Sequence, residues 1–98
     1  MRLYLIGHDY RYAVEQMMLT LFPGQHPEYP GGPPDGTGPA LLLSLTETEG
    51  ALEARARLWW EGHAYTGLRR ADKGELTGGL TDDRVRQRIL RLAFYDAG

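Results

Sequence analysis

The chain contains no cysteine. That absence removes disulfides, thiol nucleophiles, thiolate zinc sites and iron–sulfur ligation by its own residues in one stroke, and it fits a reducing compartment. Lysine is nearly missing as well: ten of the eleven basic residues are arginine and only Lys73 is not. The formal charge is −2, so the excess of positive charge that general nucleic-acid binding draws on is lacking too. Long apolar runs are absent. The N-terminal MRLYLIGHDYRY has an apolar stretch of four residues after Arg2 before it turns polar. That is too short for the core of a signal peptide and far short of a membrane span. The expected location is the cytoplasm, with no membrane partner. Proline is missing from most of the chain, because all six prolines fall between Pro23 and Pro39 together with five of the thirteen glycines. This 23–39 segment cannot supply a regular hydrogen-bond ladder and reads as a surface loop.

What remains is the composition of an ordinary globular domain, 42% hydrophobic and 24% charged over 98 residues. One domain with one core is expected. The clearest pattern is ALEARARLWWE at 51–61, where Leu52, Ala54, Ala56, Leu58 and Trp60 alternate with Glu53, Arg55, Arg57, Trp59 and Glu61. A half-buried strand needs that period of two. Glu61-Gly62 then gives a short turn, in which Gly62 accepts positive φ, into a partner strand HAYTGLRR. Upstream, ALLLSLTET at 40–48 reads as a strand and Glu49-Gly50 as a second tight reversal.

Two helices complete the pattern. RLYLIG at 2–7 suits a buried strand, and Asp9 stands where an N-cap would accept a backbone N–H for a helix over Tyr10 to Leu21. The apolar residues Tyr10, Ala13, Val14, Met17, Met18 and Leu21 recur at three and four. After Arg70, ADKGELTGGL reads as a loop. Thr81 is the expected cap of the last helix, with Asp82 and Asp83 in its first turn and Val85, Ile89, Leu92 and Ala93 on its buried face. The order β-α-β-β-β-α predicts an α+β two-layer sandwich. A right-handed parallel crossover leads into an antiparallel meander, giving a four-stranded mixed sheet with both helices on one face and the other uncovered.

No reaction is legible in these residues. His8, His26 and His63 are not spaced as a metal pair and read as turn and loop residues. Ser44 sits in a strand without the elbow glycines of a hydrolase nucleophile. Glu47, Glu49, Glu53 and Glu61 fit solvated strand ends and an exposed strand side. GELTGG at 74–79 precedes a helix but lacks the lysine–hydroxyl ending of a phosphate loop, and Asp82 and Asp83 would repel an anion there. No catalytic, cofactor or metal residue is assigned. Interface candidates remain. Arg84, Arg88 and Arg91 form a stripe at i, i+4 and i+7 with Tyr95 one turn on, which reads as a solvated face or as a contact for RNA or an acidic partner. Trp59 points to the uncovered sheet face beside Arg57 and across from Ala64; it is either an interface anchor or covered by the Pro/Gly loop with Tyr29.

The element order, ALLLSL before a reversal, the pair ending HAYTGLRR and the final RVRQRILRLAFYDAG resemble the N-terminal region of the longer oxygen-independent coproporphyrinogen III oxidases. These are also called coproporphyrinogen dehydrogenases and belong to the radical S-adenosylmethionine superfamily. The likeness runs over essentially the whole chain. It implies that a Pro-Trp-Gly segment and a radical-SAM barrel follow, whose C-x3-C-x2-C cysteines hold a four-iron four-sulfur cluster that reduces S-adenosylmethionine. The chain ends at Ala97-Gly98 with none of these, so no catalytic residue transfers to it. The expectation is a non-catalytic N-terminal accessory domain, residues 1–98, of a heme-biosynthesis oxidoreductase. Its partner would be the rest of the parent chain, or a second copy of the fragment. The alternatives are an RNA-binding accessory domain that uses the arginine stripe and a stand-alone small-ligand sensor.

Overall fold

The computed structural model describes residues 2–6, 10–28, 39–76 and 78–97. The expected α+β sandwich is found. The elements run β1 (Arg2–Ile6), α1 (Arg11–Leu21), β2 (Ala40–Thr48), β3 (Ala51–Trp60), β4 (His63–Asp72), a 3-10 turn (Lys73–Glu75) and α2 (Asp83–Ala97). The four strands form one sheet in the order β1-β2-β3-β4, with β1 and β2 parallel and the later pairs antiparallel. The sheet is therefore mixed, and its spatial order follows the order along the chain.

Both hairpins turn on a Glu-Gly pair in the left-handed region. Glu49 and Gly50 have φ of 45° and 82°, and Glu61 and Gly62 have 49° and 79°. Two successive positive φ values match the twist of the strands and close a two-residue hairpin. The register then runs without a skip from Trp60↔His63 to Ala51↔Asp72. β4 continues two residues past Arg70, where a loop was expected, because Ala71 and Asp72 still pair with Leu52 and Ala51.

The alternation of β3 has the predicted sense. Leu52, Ala54 and Ala56 are buried and face the helices with Leu41, Leu43 and Leu45 of β2 and Leu3 and Leu5 of β1. Val14, Met17 and Met18 of α1 and Ile89, Leu90 and Ala93 of α2 close the same core. The helical layer stops short of one end. Leu58, on the rung of buried Leu41, is half-buried and packs against the core, whereas Trp60 at the end of the strand is 45% exposed.

Two features of α2 differ from expectation. Leu92 is 42% exposed and Leu90 is fully buried, because the packed stripe follows Ile89, Leu90, Ala93 and Ala97 and leaves Leu92 on its flank. The cap is Asp82 and not Thr81: the Arg84 N–H donates to Asp82 Oδ1 at 2.8 Å, and the Asp82 carbonyl accepts from Arg86 N–H. A carboxylate in that place satisfies an orphan donor and meets the positive end of the helix dipole. At the start of α1, Tyr10 holds the N-cap position without a side-chain cap bond. The expected cap Asp9 lies outside the described residues, as do Gly7, His8 and most of the 23–39 loop. The loop's described beginning has a structural role. Glu28 bridges Tyr4 in parallel, donating its N–H to the Leu3 carbonyl at 2.7 Å and accepting from Leu5 N–H at 3.4 Å, and so covers the outer edge of β1.

Candidate interaction surfaces

Alternation and register together place Leu42 and Ser44 of β2, Arg55, Arg57 and Trp59 of β3, and Ala64, Thr66, Leu68 and Arg70 of β4 on the face away from the helices. No helix lies on this side; it is buried toward β1, at Tyr4 and Ala40, and exposed toward β4. Its centre is a shallow depression of about 360 Å³ lined by Leu42, Ser44, Arg55, Ala56, Arg57 and Thr66. Arg57 stands on the rung of Leu42 and Thr66, and Arg55 on the rung of Ser44 and Leu68. The depression thus has two guanidinium groups, two hydroxyl-bearing residues and an apolar rim.

Trp59 is half-buried and pairs with Ala64 as expected. The Arg57 guanidinium lies 5.5 Å from its ring centroid, a cation–π contact that holds the arginine across the ring. Whether Tyr29 packs on Trp59 concerns a residue outside the described ones. Leu68, at 49% exposure, adds a second apolar side chain to this face. On its β1 side, burial pushes the Tyr4 phenol above its ordinary pKa, and the hydrogen bond with Glu28 adds to the shift.

The second candidate surface is the outer side of α2. Ile89, Leu90 and Ala93 point to the sheet, so Arg84, Arg88 and Arg91 point outward, and with Gln87 they line a depression of about 200 Å³. Most of the other arginines are ion-paired. Arg11 pairs with Glu15, Arg55 with Glu53, Arg69 with Asp96, Arg70 with Asp72, and Arg86 with Asp83. Arg86 also lies over the Tyr10 ring at 4.3 Å. Among the described residues, Arg2, Arg57, Arg84, Arg88 and Arg91 have no carboxylate partner.

The other sequence candidates are dispersed. His26 and His63 are exposed and far apart in the fold, with His63 tilted against Tyr65 at 6.4 Å, and His8 lies outside the described residues. Among the described residues no group of three or more His, Asp or Glu is placed to hold a metal ion. Ser44 is half-buried on the open face. Glu47 accepts from the Tyr10 hydroxyl, Glu53 accepts from Arg55 Nε at 2.9 Å, and Glu49 and Glu61 occupy the two hairpin turns. The 74–79 segment begins in the 3-10 turn, and the acidic residues behind it are engaged as a cap and as the partner of Arg86. No helix among the described residues is long and apolar enough to cross a membrane. Sequence reasoning missed Leu68 and Leu92 as exposed apolar residues; the signal for Leu68 was its offset of one from the helix-facing positions of β4. No known protein family, curated protein or solved structure matches the chain.

Proposed function

We propose that the chain is a non-catalytic accessory domain whose open sheet face docks against a larger polypeptide. In its specific form, that polypeptide is the radical-SAM barrel of a cytoplasmic heme-biosynthesis oxidoreductase resembling the oxygen-independent coproporphyrinogen III oxidases. The likeness of the sequence to their N-terminal region supports the specific form. The observation that carries the docking role is the sheet face away from the helices, where half-buried Trp59 and exposed Leu68 flank a depression lined by Arg55 and by Arg57, which has no carboxylate partner among the described residues. Aromatic, arginine and apolar side chains gathered at a concave patch are the usual anchors of a protein contact. The iron–sulfur cluster and S-adenosylmethionine would belong to the barrel, since this chain has no cysteine to ligate a cluster.

The reading frame downstream of Gly98 tests the specific form: three cysteines spaced C-x3-C-x2-C are expected, and a stop codon there removes it. The docking role is tested by Trp59→Ala in the full enzyme. The substitution should weaken association between this domain and the barrel, measured by co-purification of the two parts. The isolated domain should melt almost as before. An equal loss of stability in the isolated domain would place Trp59 in the fold and not in the contact.

A further inference from the structure

The outer face of α2 lies on the opposite side of the molecule from the open sheet face, since the helix's packed stripe faces the sheet between them. A domain docked through its sheet therefore still presents Arg84, Arg88 and Arg91. We infer that this helix face is a second docking surface, and that it fits an acidic protein segment.

Three observations converge on it. The arginines occupy consecutive turns over about 10 Å of helix, on a backbone fixed by the buried side chains beneath, so their spacing is set before any partner arrives. They are uncompensated: the acidic residues of α2, Asp83 and Asp96, are both engaged, by Arg86 and by Arg69 at 2.8 Å. Third, the stripe runs into exposed Tyr95 and Leu92, at 61% and 42%. Like charges at i, i+4 and i+7 with nothing between them cost helix stability, whereas an acidic partner turns that cost into attraction.

The tyrosine and leucine choose the class of partner. Arginine beside tyrosine and an aliphatic side chain is the composition of a protein contact. Nucleic acid would ask for a larger cationic footprint than three arginines on a chain of net charge −2. A second copy is disfavoured because two such faces would set arginine against arginine. The best complement is a helix or extended segment carrying carboxylates at matching intervals, with an apolar residue to meet Leu92 and Tyr95.

The probe is a fluorescein-labelled helical peptide with glutamates at i, i+4 and i+7 beside two leucines, titrated with the purified chain and followed by anisotropy. Binding should weaken with added salt, and it should fall by about tenfold in R84E/R88E/R91E, the size expected of three exposed ion pairs. A peptide with lysine in place of the glutamates should restore binding to that variant. Trp59→Ala should leave binding unchanged, which separates this surface from the sheet face. Circular dichroism checks that the variant folds, and R84Q/R88Q/R91Q replaces it if it does not. Equal binding of a glutamine version of the peptide would overturn the inference. So would tighter binding of polyuridine RNA than of the peptide, or no binding by the wild-type chain.

Discussion

Gly67 shows how one side chain's absence sets the distance between the layers. It is the buried position of an otherwise largely exposed β4, and α2 rests directly on it. A Cβ there would lie 1.8 Å from the Ala93 carbonyl oxygen and 2.8 Å from the Ala97 backbone nitrogen. Both are main-chain atoms of a packed helix, so neither can move alone. Alanine ordinarily improves a strand position over glycine, by well under 1 kcal/mol on β scales that span ~1 kcal/mol. Here overpacking wins. Gly67→Ala should destabilise the chain by roughly 1–3 kcal/mol, read as a lower urea midpoint at unchanged slope. A variant as stable as the wild type would show that α2 does not sit on β4 in this way. In the sequence, Gly67 reads only as a glycine in a strand run. What makes it necessary is a helix that begins sixteen residues later, and no local pattern reports that contact.

At the scale of elements, the strands were legible and the ends of the helices less so. Period-two alternation and two Glu-Gly turns fix β2, β3 and β4 and their register, because a slip of one residue would turn Leu52, Ala54 and Ala56 out of the core. α2 was harder. Val85, Ile89, Leu92 and Ala93 are as good a helical stripe on paper as the one the fold uses, and only packing against the sheet and α1 selects Leu90 and Ala97 over Leu92. The cap shows the same limit. Thr81, Asp82 and Asp83 are each acceptable N-caps, and the structure chooses Asp82 through its bond to the Arg84 N–H. Asp82→Ala should therefore cost about 1 kcal/mol, seen as a lower melting temperature in differential scanning calorimetry. Thr81→Ala, with its exposed side chain, should change little. The reverse ranking would return the cap to Thr81.

At the scale of the molecule, the helices cover one side of the sheet, and among the described residues four arginines without a carboxylate partner lie on the two outer surfaces: Arg57 on the sheet and Arg84, Arg88 and Arg91 on α2. The sequence already named all four residues and Trp59. Ion pairing could not be read there, since the bond that engages Asp96 comes from Arg69, 27 residues away. Nor could the depression beside Arg57 be foreseen, because it is made by side chains from three strands. Trp59 and Trp60 give the docking claim an internal control, being neighbours in the chain on opposite faces of one strand. Hydroxyl-radical footprinting with residue-resolved mass spectrometry, applied to the isolated chain and to the chain within the proposed larger polypeptide, compares them directly. If the sheet face docks as proposed, Trp59 oxidises more slowly in that larger polypeptide while Trp60 keeps its rate. Equal rates for Trp59 in both, or protection of Trp60 alone, would contradict it.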